Sequence, residues 1–147
     1  DWMGSFNLGA TYKGFDFSFN VRASVGNRIY NAVNATRAQF DLIEDGTVLG
    51  NLPTSILDTN FNTTSDVVLS DLYIENGSYL KLDNVTLGYT FKKWLDGKAS
   101  LRLFAGMQNV FTITEYSGLD PEITNEGRDN TIYPRQRQVL VGANVKF

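Results

Sequence analysis

The sequence predicts an all-β fold, and within that class a sector of a transmembrane antiparallel β-barrel: about five strands, two short turns and two long extracellular loops. Three observations carry this expectation. Apolar and polar residues alternate with a period of two along stretches of about 9 to 11 residues, the length of a tilted membrane-crossing strand. The connections between those stretches run short, long, short, long. Aromatic residues gather where the stretches end.

The first stretch, 5–12, sets Phe6, Leu8, Ala10 and Tyr12 on one face and Asn7, Gly9 and Thr11 on the other. Lys13-Gly14 is a two-residue connection of the kind that closes a hairpin, because glycine accepts the positive φ such a turn needs. Phe15, Phe17, Phe19, Val21, Ala23 and Val25 continue the apolar face; Asp16, Ser18, Asn20, Arg22 and Ser24 make the polar one. From 27 to 78 the pattern gives way to a polar segment rich in Asn, Asp and Thr, too long for an ordinary connection and so expected to be functional or disordered. Ile29, Val33, Thr36 and Phe40 give 27–40 a helical spacing, and a short helix is expected there.

Alternation resumes at Leu80 and Leu82, then changes phase to Val85, Leu87, Tyr89 and Phe91. One extra residue near Asp83-Asn84 restores a single apolar face, so a β-bulge is expected there. Residues 92–98 form the second short turn, after which Leu101, Leu103, Ala105 and Met107 face one way, with Phe104 an inward aromatic among the opposite set. A second long loop is expected from about Thr112 to Tyr133. The closing strand puts Val139, Val141, Ala143, Val145 and Phe147 on one side and Gln138, Gly142, Asn144 and Lys146 on the other.

Barrels of this kind have short periplasmic turns and longer outer loops, with the last strand ending at the periplasm. Counting back from Phe147, Lys13-Gly14 and 92–98 are periplasmic and both long loops lie outside. Tyr12, Phe15, Phe91, Trp94 and Phe147 then fall at the periplasmic rim, with Phe111 and Tyr133 at the other, as an aromatic girdle requires. Lys13, Lys92, Lys93, Lys98 and Lys146 cluster at the short-turn end, whereas the long loops are acidic and read mostly as solvated. On this assignment arginine at Val21 or Leu103 should be costly and arginine at Asn20 or Ser24 mild.

Composition closes off other classes. The 147 residues contain neither cysteine nor histidine, which removes disulfides, thiolate metal sites, ordinary zinc sites and Ser/His/Asp catalysis. A net charge of −3 argues against nucleic-acid binding. No stretch approaches the ~20 apolar residues of a membrane helix, as is usual for a barrel strand that shares its length with polar residues.

Several blocks together resemble the C-terminal end of the SusC/RagA family of TonB-linked outer-membrane transporters of Bacteroidetes-type bacteria. They are Asp1-Trp2-Met3-Gly4-Ser5-Phe6-Asn7 with Tyr12-Lys13-Gly14-Phe15-Asp16, then Gly26-Asn27-Arg28-Ile29-Tyr30-Asn31. Most specific are Tyr73-Ile74-Glu75-Asn76-Gly77-Ser78-Tyr79-Leu80-Lys81-Leu82 running into Asn84-Val85-Thr86-Leu87-Gly88-Tyr89, then Gln108-Asn109-Val110-Phe111-Thr112 and Tyr116-Ser117-Gly118-Leu119-Asp120-Pro121-Glu122. The shared order and spacing span nearly the whole chain. Gly142, Val145 and Phe147 are similar to the signal read by the barrel-assembly machinery, with Leu140 standing where that pattern favours a polar residue.

The resemblance implies that 1–147 is the C-terminal part of a large barrel in the bacterial outer membrane, its plug domain and earlier strands lying elsewhere. An open sheet of about five strands has two edges and cannot span a bilayer by itself, so the remainder of the barrel is an expected partner. It also implies uptake of oligosaccharides or peptides with a SusD-like lipoprotein lid, driven by the TonB complex through the absent N-terminal region. Asp16, Arg22, Lys81, Asp83, Arg102, Gln108 and Arg137 are expected to face the lumen and plug. Tyr30, Phe40, Phe61, Tyr73 and Tyr116 are candidate loop contacts for substrate or lid.

No catalytic residue and no cofactor is expected. Asp120 with Glu122 is a conceivable acid/base pair, but nothing in the sequence buries or pairs these groups in a recognisable way. Asp120, Glu122 and Asp129, with Asn125 and Glu126, give oxygen donors at close spacing that would suit calcium, although their order is not that of an EF-hand and Arg128 intrudes. Two other readings stand beside the importer: a passive or adhesive outer-membrane barrel, and a soluble β-sandwich binding module. The last would bury Phe17, Val85, Leu101 and Val141 between two stacked sheets.

Overall fold

A computed structural model describes residues 1–38, 44–45, 48–49, 51–58, 70–123, 126–130, 133 and 135–147. The chain divides into two compact units, a wall unit of 1–26, 78–115 and 135–147, and a loop unit of 27–77 and 116–134.

The wall unit is one antiparallel sheet of five strands: β1 (Trp2–Tyr12), β2 (Phe15–Val25), β7 (Tyr79–Trp94), β8 (Ala99–Thr114) and β10 (Gln138–Lys146), adjacent in that order. Its register turns the period-two pattern of each strand into continuous rows. Leu8, Phe19, Val85, Met107 and Val139 are mutually opposed neighbours across all five strands, as are Ala10, Phe17, Leu87, Ala105 and Val141 one rung further. Among the described residues nothing covers the apolar face: Phe6 is 58% exposed, Leu87 54% and Val141 77%. A soluble sandwich would bury that face, so the single sheet with bare apolar rows removes the β-sandwich reading.

Both short connections lie at one end of this sheet. Lys13 (φ 48°) and Gly14 (φ 95°) close the first hairpin with positive φ at both central positions, the turn whose twist matches that of the strands it joins. The second turn is shorter than the expected 92–98. β7 continues to Trp94, which sits opposite Ala99, and only Leu95–Lys98 turns, through positive φ at Leu95, Asp96 and Gly97.

Two irregularities fix the phase of the sheet. The expected bulge falls at Asp83: Asn84 pairs with Asn20 and Leu82 with Val21, leaving Asp83 as the extra residue. The sequence pattern does not reveal the second. Between Gln108 and Phe111, β8 carries one residue more than β7, and Asn109 takes φ 51°, a conformation asparagine tolerates better than most residues. Its amide donates to the Gln136 carbonyl at 2.8 Å.

The described residues of the loop unit form regular structure. β3 (Arg28–Asn31) pairs antiparallel with β6 (Ile74–Asn76) and parallel with β9 (Arg128–Asp129), so both long connections contribute to one small sheet. The helix expected over 27–40 is corrected to α1 (Ala32–Arg37), because Ile29 and its neighbours are spent on β3. Asn31 caps α1, its Oδ1 accepting from the Asn34 amide at 2.9 Å. Ala35, Ala38, Ile56 and Tyr73 form a core against which Tyr30 and Leu52 pack. The two-residue strands β4 (Glu44–Asp45) and β5 (Val48–Leu49) pair with each other. The second loop begins later than Thr112, since β8 runs to Thr114.

Candidate functional site

The polar face of the wall carries an ordered set of side-chain bonds. At one level Asn7, Asn20, Asn84, Gln108 and Gln138 are opposed across all five strands, a rung of amides in which Asn20 donates to Asn7. One side of it, Arg22 forms a two-pronged ion pair with Asp83, the bulged residue, with Nη2 to Oδ1 at 2.8 Å. The bulge therefore does chemistry as well as geometry: it turns an acid toward Arg22, whose direct partner across the ladder is Lys81.

On the other side, Arg102 of β8 pairs with Asp16 of β2, Nε to Oδ1 at 2.9 Å. β7 lies between those strands, and the residue it presents there is Gly88. A Cβ at Gly88 would stand 2.6 Å from both Asp16 carboxylate oxygens and 2.8 Å from Arg102 Nη2. The Arg102 guanidinium also lies 4.8 Å from the centroid of the Phe104 ring. That ring covers Gly142, leaving no room for a Cβ there.

Of the sequence-derived lumen residues, the structure thus joins Asp16 to Arg102 and Arg22 to Asp83. Lys81 is buried, Gln108 stands in the amide rung, and Arg137 is exposed just before β10. Ser24 is also buried, at 4% exposure, which corrects the expectation that arginine is mild there.

In the loop unit the organising group is Glu75. Its Oε1 accepts from Asn31 Nδ2 and from Ser117 Oγ, both at 2.8 Å, and its Oε2 accepts from the Ser117 amide at 2.8 Å. One carboxylate thereby ties β3, β6 and the second connection together. A cavity of about 550 Å³ opens beside it, lined among others by Asn31, Asn34, Arg37, Leu52, Ser117 and Asp129. Tyr116 donates to Asp129 Oδ2 at 2.6 Å. Burial, and secondarily that bond to Asp129, hold the Tyr116 phenol above the ordinary tyrosine range. Burial, with a smaller contribution from Tyr30, does the same to Tyr73.

These placements correct several loop expectations. Tyr73 and Tyr116 are 3% and 5% exposed, so they pack the unit and offer no ring face to a ligand; added chain would only bury them further. Tyr30 is half-buried, with the Arg128 guanidinium 5.7 Å from its ring centroid, and Phe40 and Phe61 lie outside the described residues. The calcium set is not assembled: Asp129 is engaged by Tyr116, Asp120 accepts from the Glu122 amide at 3.0 Å, and no acidic trio converges among the described residues. Asp120 and Asp129, read as solvated loop charges, are both buried.

The sequence pattern does not mark Gly88, Glu75, Asn31 or Ser117 as site residues. The available signal was that all four sit inside the motif blocks that carry the family resemblance.

No family model matches the chain. It is similar to the TonB-dependent receptor SusC of Bacteroides thetaiotaomicron, 36% identical over an alignment covering 92% of this chain and 14% of the relative. The chain belongs to the SusC/RagA-type TonB-dependent receptors. TonB-dependent receptor P3 of Formosa agariphila is 32% identical to this receptor segment, across 100% of the segment and 16% of the relative. The RagAB peptide importer in its closed-closed state matches its fold with a TM-score of 0.73 at 24% identity, covering 96% of the segment and 16% of that chain. In the open-open state the match is 0.69 at 24% identity over 99% of the segment. The segment therefore spans about one-sixth of the length of the relatives it matches. It is part of an outer-membrane β-barrel, a setting that suits a sheet with one bare apolar face.

Proposed function

We propose that this segment supplies the closing sector of the barrel wall and two outer loops of a TonB-driven importer that takes up oligosaccharides or peptides with a SusD-like lipoprotein lid. The observation that carries the reading is the contrast between the two faces of the sheet, one bare and apolar, the other bonded side chain to side chain. Such a wall suits a lumen that must stay in shape while a plug moves against it. Asp16, Arg22, Asp83 and Arg102 hold the wall to itself, buried Lys81 belongs to that wall, and the exposed Gln108 and Arg137 are the side chains that meet the plug. Energy enters through the TonB complex acting on the N-terminal region, and this segment performs no catalysis. The names of the relatives support the class, and that of the RagAB peptide importer is consistent with peptide among the cargoes.

Uptake by cells carrying the full receptor tests this, with labelled oligosaccharide and peptide pools and with TonB or the lipoprotein deleted. Uptake is expected to vanish without TonB and to fall without the lipoprotein. Undiminished uptake without TonB would establish a passive barrel instead.

A further inference from the structure

The cations of the wall unit include two ion-paired arginines and a cluster of lysines. Arg22 is paired with Asp83, and Arg102 with Asp16 close to the first short turn, on the polar face. At the short-turn end Lys13, Lys92, Lys93, Lys98 and Lys146 have no acidic partner among the described residues, and Lys13 rests 5.2 Å from the centroid of the Tyr12 ring. Lys92, Lys93 and Lys98 flank a single acid, Asp96.

Local structure concentrates this charge. Phe91 pairs with Leu101 and Trp94 with Ala99, so Lys92 and Lys93 occupy an irregularity that presents two exposed lysines where a regular ladder would hold one residue. A shallow depression of about 520 Å³ lies between Lys13, Tyr89, Phe91, Lys92 and Lys93. Its aromatic side is firm, the Tyr89 and Phe91 rings meeting edge to face at 4.6 Å. β2 and β7 each have both neighbouring strands present, so this surface is not an edge left bare by strands that lie elsewhere in the barrel.

We propose that this rim binds anionic phospholipid of the inner leaflet, with Lys13, Lys92 and Lys93 on the headgroup phosphate and Tyr89, Phe91 and Leu87 against the acyl chains. Ammonium groups suit phosphate oxygens as mobile point charges, and aromatic rings at the rim sit at headgroup depth. Clustered lysines at a membrane surface select anionic over zwitterionic lipid. Free phosphate would use the lysines and leave the aromatic wall without a purpose, whereas a phospholipid uses both. The inference needs only that the chain is barrel wall and is independent of what the receptor imports.

The test uses the full-length receptor in mild detergent, given phosphatidylglycerol or phosphatidylcholine at equal mole fraction, with retained lipid counted by native mass spectrometry and Tm recorded. Phosphatidylglycerol is expected to be retained about fivefold over phosphatidylcholine and to raise Tm. The triple variant Lys13→Gln, Lys92→Gln, Lys93→Gln should lose that preference, and the corresponding Lys→Arg triple should keep it. Equal retention of the two lipids by the wild-type receptor, which needs no variant to fold, would overturn the proposal. So would an undiminished preference in the Gln triple, or an equal Tm rise with inorganic phosphate alone.

Discussion

Asp16 and Arg102 form an ion pair across a strand that lies between them, and Gly88 is the residue that lets them meet. Side chains on next-nearest strands are ordinarily too far apart to pair. Here the middle strand presents no Cβ, and the carboxylate and guanidinium close over its backbone. Replacing Gly88 with Val should break the pair and overpack the site, costing about 1–3 kcal/mol. Urea unfolding of the full receptor measures this, and a double-mutant cycle of Asp16→Asn and Arg102→Gln should show coupling that disappears in the Gly88→Val background.

The two faces should respond oppositely to charge. Leu103 is 45% exposed on the apolar face, so Leu103→Arg should destabilise the assembled barrel by about 2–4 kcal/mol near mid-membrane, as should Val21→Arg. Gln108→Arg, on the exposed polar face, should cost far less. Equal effects at Leu103 and Gln108 in the same unfolding assay would contradict the assignment of faces.

A proposed recognition role for Gly142 can be separated from its packing role. As part of the assembly signal with Val145 and Phe147 it would act through its recognition by other proteins; as the floor under the Phe104 ring it acts through space. Gly142→Ala should reduce the heat-modifiable, folded band of the receptor in outer-membrane fractions. If packing is the cause, Phe104→Leu should restore that band in the double variant; no restoration assigns the defect to recognition. Phe147→Ala, 90% exposed in the wild-type segment, should lower assembly without such rescue.

Glu75 should be the weak link between the two long connections. Glu75→Ala removes the three bonds to Asn31 and Ser117 and should loosen the loop unit by about 1–3 kcal/mol. Limited proteolysis of the full receptor should then cut within 116–130 at lower protease concentration, while the wall strands stay protected.

Alkaline pH should destabilise the loop unit through its buried phenols. Below about pH 10 Tyr116 and Tyr73 are protonated whether folded or unfolded, and they contribute no pH dependence. Above it the unfolded phenols ionise while the folded ones, held neutral by burial, do not, so stability falls as pH rises. Protease resistance of the loops should therefore decline above about pH 10. Tyr116→Phe should flatten that decline, leaving the contribution of Tyr73.

The sequence by itself determined the wall. A period of two needs no tertiary information, because alternate side chains of any extended strand leave on opposite faces; Phe6 to Tyr12, Phe15 to Val25 and Val139 to Val145 were assigned on that ground, and the phase change at Asp83 announced its bulge. What lies between strands was not legible in the same way. The loop unit rests on β3 meeting β9 about a hundred residues later and on Glu75 reaching Ser117, contacts that leave no local period in either segment. For the same reason Tyr73 and Tyr116 read as free aromatics when they are core. On the polar face the residue types were evident but their partners were not: only pairing β2 and β8 with the same middle strand brings Asp16 to Arg102, and only then does Gly88 acquire a reason to be glycine.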